Sequence, residues 1–152
     1  MIYWNSPPSW RASAAWFDEQ ERLYGFPDVE GLGVKAVTHL PGPQIDPART
    51  PRELNPQTVA DLSRYLGWRF PELAGVPVLL GRVMHYEMTP DGHFAIGFRE
   101  RDDRSLIAGG GSGHGFKHAL RIGEHVADLL EAKAAPIPMF ALGERAAQSV
   151  WR

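Results

Sequence analysis

Thirteen prolines and 16 glycines punctuate the 152 residues, so the chain divides into many short elements with room for only a few long ones. The opening stretch MIYWNSPPSW predicts a short strand ended by Pro7-Pro8, because proline cannot donate into a sheet ladder. Arg22 to Phe26 predicts a strand stopped at Pro27. In GLGVKAVTHLPG, Val34, Ala36 and Thr38 alternate with Lys35, Val37 and His39; this period of two argues a strand and places Lys35 and His39 on one face. The prolines from Pro41 to Pro56 are too dense for a helix or a central strand and predict a surface loop. That loop ends at Asn55-Pro56, an N-cap followed by proline at the first helical position. Val59, Leu62 and Leu66 then recur at helical spacing, predicting a helix from about Gln57 to Leu66 closed by Gly67.

The second half continues the pattern. VPVLLGRVMHYEM and HFAIGF read as two strands joined by a turn at Thr89-Pro90-Asp91-Gly92. The mixed-charge run from Arg99 to Arg104 reads as a solvated hairpin or loop tip. Ser105 to Gly109 is a short apolar strand, GGGSGHG a turn, and Phe116 to about Ala132 an amphipathic helix with Leu120, Val126 and Leu130 as apolar positions and Gly123 as a close-contact site. The tail, with Pro136 and Pro138, reads as an extended surface strap. The fold class expected is α+β, a mixed, largely antiparallel sheet with two main helices.

Charge and composition remove several functions. With 16 Lys+Arg against 18 Asp+Glu the formal net charge is −2, which gives no electrostatic footprint for nucleic acid. No apolar run reaches the roughly 18 residues of a membrane span, and the first residues have neither a basic nor an apolar signal region, so a cytoplasmic protein without membrane partners is expected. The absence of cysteine excludes disulfides, thiolate metal sites and a cysteine nucleophile.

Two constellations could carry chemistry. Strand, glycine turn and helix together aim a helix N-terminus at the turn, which suits either a tight connection with no ligand or a site for an anion. The turn matches neither G-x-G-x-x-G nor a Walker pattern, because His114 stands where the last glycine would fall. Lys117 in the first helical turn opposes the dipole, and an anionic neighbour would explain it. Lys35 and His39 on one strand face could bind an anion or move protons, or could simply be exposed. His114 and His118 lie one helical turn apart but no third ligand is indicated, so no metal is expected. His85, His93 and His125 read as satisfied surface or turn histidines.

Taken together, LYGFPDVEGLGVKAVTH at Leu23 to His39, IDP at Ile45 to Pro47, MHYEMTPDGHF at Met84 to Phe94, and above all GSGHGFKHA at Gly111 to Ala119, resemble the monomeric sarcosine oxidase and N-methyltryptophan oxidase family of FAD-dependent amine oxidases. The resemblance implies oxidation of the C–N bond of a secondary amino acid or amine, with oxygen as acceptor and hydrogen peroxide as product. By position, Tyr24 and His39 resemble the residues lining the substrate pocket, and Lys35 the lysine that promotes reaction with oxygen by stabilising the developing negative charge. Lys117 resembles a lysine that holds the substrate carboxylate. Gly111, Ser112, Gly113, His114, Gly115, Phe116 and Lys117 resemble the flavin-contacting loop. Met84 stands where members with a covalent flavin have cysteine; a thioether cannot form that bond, so the resemblance implies noncovalent FAD.

The resemblance covers only the later, substrate-side portion of such an enzyme. It implies a partial fold of a two-domain flavoenzyme lacking the N-terminal dinucleotide-binding unit. Residues 1–80 correspond to the substrate-domain portion and 81–152 to the C-terminal flavin-contacting portion, expected as one compact unit. The last strand and helix would then lack the neighbours their apolar faces need, inviting association. A second protein chain carrying the dinucleotide-binding domain is an expected partner. The alternative is a truncated or repurposed binding protein that keeps the fold without flavin chemistry.

Overall fold

The computed structural model of the chain describes residues 1–100 and 102–145, with the side chain of Asp103 outside the description. Arg101 of the mixed-charge run and the end of the proline-containing tail therefore lie outside the described residues. The chain divides into two compact units, Met1–His85 and a second beginning at Tyr86. All strand pairs between the described elements are antiparallel, and with two α-helices the architecture is α+β. Among the described residues no helix is long and apolar enough to cross a membrane.

The first unit is a five-stranded sheet covered on one face by a helix. Its strands are β1 (Ile2–Trp4), β2 (Trp16–Asp18), β3 (Leu23–Phe26), β4 (Val34–Thr38) and β5 (Val78–Gly81), in the order β2-β3-β4-β1-β5. The alternation read from the sequence decides the two faces. Ile2 and Trp4 pair with Ala36 and Val34, and these four residues are at most 1% exposed. They pack with Leu62 and Leu66 of α1 (Pro56–Arg69) and with Trp10 and Leu73. The two buried indoles keep their polar ends satisfied: Trp4 Nε1 donates to Ser63 Oγ at 3.0 Å and Trp10 Nε1 to Glu72 Oε1 at 2.7 Å.

Helix α1 starts as its sequence dictates. The Asn55 side chain accepts from the Gln57 backbone N–H at 2.8 Å, and Pro56 fills the first position without wasting a donor. It does not stop at Gly67, however, and runs on to Arg69. A Cβ at Gly67 would sit 3.2 Å from Ala74 Cα, so this glycine serves the close return of the chain after the helix and not its termination. The strand β2 carries no alternation long enough to mark it in the sequence. Between Pro41 and Asn55 no strand or helix forms, and Asp46 turns the loop by accepting from the backbone of Ala48 and, through its carbonyl, from Arg49 and Thr50.

The second unit differs from the expected hairpin. Only Val78–Gly81 of VPVLLGRVMHYEM is a strand, and it pairs with β1 in the first unit. The partner of β6 (Ala95–Arg99) is β7 (Asp102–Gly109), joined across the mixed-charge tip. Glu87 instead holds the glycine turn: its carboxylate accepts from Gly110 N–H and its carbonyl from Ser112 N–H, both at 2.9 Å. The turn at Thr89–Gly92 forms as expected, with Gly92 N–H donating to Thr89 O at 3.2 Å. After the glycine turn a short 3-10 turn, Gly115–His118, precedes α2 (Ala119–Leu130), so the α-helix begins three residues later than the periodicity suggests.

Candidate functional site

The face of the first sheet opposite α1 carries the residues singled out on β3 and β4. Tyr24 is paired with Val37, Phe26 with Lys35, and Phe17 with Tyr24. Directly paired residues share a face, so Phe17, Tyr24, Phe26, Lys35 and Val37 lie together. His39 follows the strand, and its ring completes the group at 5.3 Å from Phe17 and 6.0 Å from Tyr24, both edge-on. The Lys35 ammonium sits 4.2 Å above the Phe26 ring, a cation–π contact that favours the charge. Burial works against it and holds the Lys35 pKa below its ordinary value. Among the described residues no carboxylate forms an ion pair with Lys35. A half-buried cation against aromatic rings, without an acidic partner among the described residues, is an arrangement suited to an anion or to negative charge that develops during a reaction.

The second group is the turn between β7 and α2. Gly110 and Gly113 have φ of +72° and +76°, and Ser112 has φ of 42°. A Cβ on Gly110 would approach Thr89 Cγ2 to 2.5 Å, and one on Gly113 would approach the Tyr86 ring to 2.8 Å. These two glycines are required by the turn itself. Ser112 is fully buried and holds the turn from inside: its hydroxyl donates to Gly110 O at 3.2 Å and accepts from Thr89 N–H at 3.2 Å. His114 Nε2 is 2.9 Å from Gly92 O; a carbonyl only accepts, so this nitrogen carries a hydrogen. Lys117 is exposed within the 3-10 turn and makes no ion pair among the described residues.

Tyr24, Lys35 and His39 are thus gathered in the first unit, while His114 and the turn belong to the second. Met84 lies outside any strand at the end of the first unit and is 54% exposed. An open cavity of about 500 Å³ lies by α1. It is lined by Leu23, Thr38, Leu62, Tyr65 and Trp68 and includes none of the three gathered residues. His85 and His125 depart from the satisfied surface histidines expected. Both ring nitrogens of His85 and Nε2 of His125 are buried and lack a hydrogen-bond partner among the described residues. The rings of His114 and His118 are 5.8 Å apart, and among the described residues no group of three or more acidic or histidine side chains is gathered as a metal site.

Sequence reading missed Asp91 and Arg145. Arg145 reaches Asp91 across 54 residues of chain, so no local pattern marks the pair.

An α+β chain with a lysine on an aromatic sheet face and a glycine turn leading into a helix agrees with what family comparison finds. A match to the FAD dependent oxidoreductase family spans residues 3–129, and the chain belongs to that family. The relatives include a monomeric sarcosine oxidase of Bacillus sp. (strain NS-129), 40% identical over 108 residues, which cover 70% of this chain and 28% of that protein. A monomeric sarcosine oxidase of Streptomyces avermitilis is 32% identical over an aligned 154 residues, 92% of this chain and 40% of its own length. An N-methyl-L-tryptophan oxidase of Yersinia pestis (strain Pestoides F) is 34% identical over 119 residues, 78% of this chain and 32% of the relative. The chain therefore spans well under half the length of these relatives.

The glycine turn fits the family's cofactor. Gly110 and Gly113 are explained by the turn's own packing, but Gly111 and Gly115 are not. A Cβ at either would meet only ordinary contacts, 3.5 Å from Gly115 Cα and 3.5 Å from the Phe94 ring respectively. Glycine at these two places keeps side chains off the turn, which lets a flat ring approach its backbone. Beside them the Phe116 side chain is 97% exposed, an apolar surface of the kind such a ring would cover.

Proposed function

We propose that these residues form the substrate-side part of an oxidase acting on the C–N bond of a secondary amino acid or amine, with oxygen as acceptor and hydrogen peroxide as product. The observation that carries this reading is the Lys35 ammonium, half-buried over Phe26 beside Tyr24 and His39, with no carboxylate of its own chain in an ion pair among the described residues. The names of the relatives, sarcosine oxidase and N-methyl-L-tryptophan oxidase, support an N-alkylated amino acid as the substrate class.

FAD, when bound, supplies the two-electron acceptor. Residues Gly111 to Phe116 would lie against it, and Met84, whose thioether cannot take up a covalent link, leaves the binding noncovalent. Tyr24 and His39 would bound the substrate on the aromatic face. Lys117, exposed and without an acidic partner among the described residues, would meet the substrate carboxylate. Lys35 would stabilise negative charge developing on oxygen, and its partial desolvation strengthens that effect.

The dinucleotide-binding part would come from further polypeptide, on the same chain or a separate one. The outward face of α2 is the surface we assign to it. Leu120, Gly123, Ala127 and Leu130 repeat at spacings of three, four and three, all exposed, with Leu120 89% and Leu130 62% exposed. On the other side of the helix Leu129 is buried and Ile122, His125 and Val126 are half-buried. The test is to join this chain to the dinucleotide-binding part of a family member and measure amine-dependent peroxide. Production with N-methyl amino acids that falls sharply in Lys35→Met is expected; no peroxide from any secondary amino acid, with FAD bound, would overturn the reading.

A further inference from the structure

Among the described residues of the second unit, Arg145 is the most heavily bonded side chain. Its guanidinium donates through Nη1 to both Asp91 carboxylate oxygens at 3.1 and 3.3 Å and to His93 O at 3.4 Å. Nη2 donates to Phe94 O at 2.9 Å and to Ala141 O at 2.6 Å, and Nε to Ala141 O at 3.1 Å. The two charged side chains are only 9% and 11% exposed. Surface ion pairs contribute little, but this pair is nearly dry, and the guanidinium's other donors reach three backbone carbonyls, a spread of fixed donors that arginine offers and lysine does not.

What the pair fixes is the Thr89–Gly92 turn. Asp91 also accepts from His93 N–H at 3.1 Å, and Thr89 donates to His93 O at 2.6 Å, so two residues of the turn are tied to residue 93. This turn holds the glycine turn at two points. The Thr89 N–H donates to the buried Ser112 hydroxyl, and Gly92 O accepts from His114 Nε2 at 2.9 Å. The tail closes the same assembly from the other side. Phe140, one residue before the Ala141 carbonyl that Arg145 holds, packs edge-on at 5.6 Å against Phe94, and Phe94 meets the His114 ring at 5.5 Å.

We propose that Asp91 and Arg145 are positioning residues: they lock the Gly92 carbonyl, which fixes the tautomer and orientation of the His114 ring at the head of the glycine turn. Any consequence for cofactor binding rests on the reading of that turn as flavin-facing, whereas the latch itself does not. The Gly92 carbonyl is where the assembly held by the pair is hydrogen-bonded to the His114 ring.

The test reads the histidine rings of the 152-residue chain by long-range proton–nitrogen correlation, with His114→Gln to assign the signal. The wild-type chain should show His114 protonated at Nε2 as a single tautomer. In Arg145→Gln and in Asp91→Asn that signature should be lost to a tautomer mixture while the β6–β7 amide signals persist. Arg145→Lys should not restore it, because one ammonium cannot span Asp91, Phe94 O and Ala141 O. If Arg145→Gln fails to fold, Asp91→Asn, which keeps the side-chain shape, decides. An unchanged His114 signature in a folded variant would overturn the proposal, and so would unfolding of both variants, since the pair would then be structural only. FAD affinity of the protein joined to its dinucleotide-binding part is measured in parallel. Loss of the His114 signature with unaltered FAD affinity would leave the latch standing and remove the flavin-facing reading of the turn.

Discussion

Lys35 is held at a cost that its position explains. Burial lowers its pKa, so the charged form is less stable in the folded chain than in water, and the contact with the Phe26 ring offsets only part of this. Replacing it with methionine keeps an unbranched side chain, one atom shorter, and removes the charge. Lys35→Met should leave the thermal midpoint of the chain unchanged or raised while peroxide formation collapses; a lowered midpoint would show that the lysine serves the fold. Asp91 behaves oppositely. Burial alone would raise its carboxyl, but the His93 backbone N–H and the Arg145 guanidinium overcome this and hold it below the ordinary value. A lowered carboxylate pKa contributes stability that is fully present above the unfolded value of about 4 and is lost as pH falls through the lower folded value. Urea midpoints followed through β6–β7 signals should therefore drop in that acid window. Asp91→Asn should flatten the drop, and an equal drop in the variant would contradict the assignment.

At the scale of elements, the legible parts of the sequence were those whose cause is local. The alternation from Val34 to Thr38 shows itself because one face is buried and the other bears Lys35, and Asn55-Pro56 shows itself because capping is chemistry between neighbours. Asn55→Ala should lower stability by about 1 kcal/mol in urea unfolding. The illegible parts depend on distant chain. Gly67 resembles a terminator, yet it lies inside α1 because Ala74 comes back against it. The stretch after Gly81 is apolar enough for a strand, but the chain uses Glu87 to hold the glycine turn and gives β6 to β7. The Asp91–Arg145 tie left no trace in local pattern. Gly25 shows how a sheet position can be decided by its neighbour: a Cβ there would come within 2.5 Å of Lys35 O and collide with Trp16. Gly25→Ala should destabilise the first unit by about 1–3 kcal/mol, as overpacking does; a stable variant would mean that Trp16 can move aside.

At the scale of the whole molecule, many large apolar side chains among the described residues stand exposed. On α2 Leu129 is buried while Leu120 and Leu130 stand open, and burying such a side chain gains about 1.5–3 kcal/mol. Together with the chain's share of its relatives' length, 28% of one sarcosine oxidase and 40% of another, this supports α2 as a joint to a dinucleotide-binding part. Leu120→Glu with Leu130→Glu should leave the chain folded by circular dichroism and abolish its association with that part; persistent association would move the joint elsewhere. The central claim, a substrate-side flavoenzyme portion whose Lys35 serves oxygen, is tested most directly by separating the two half-reactions in the joined protein. Under nitrogen, an N-methyl amino acid should bleach the flavin absorbance equally in wild type and in Lys35→Met, and on admitting oxygen the colour should return quickly in wild type and many-fold more slowly in the variant. Equal return in both, or no bleaching with any secondary amino acid, would contradict it.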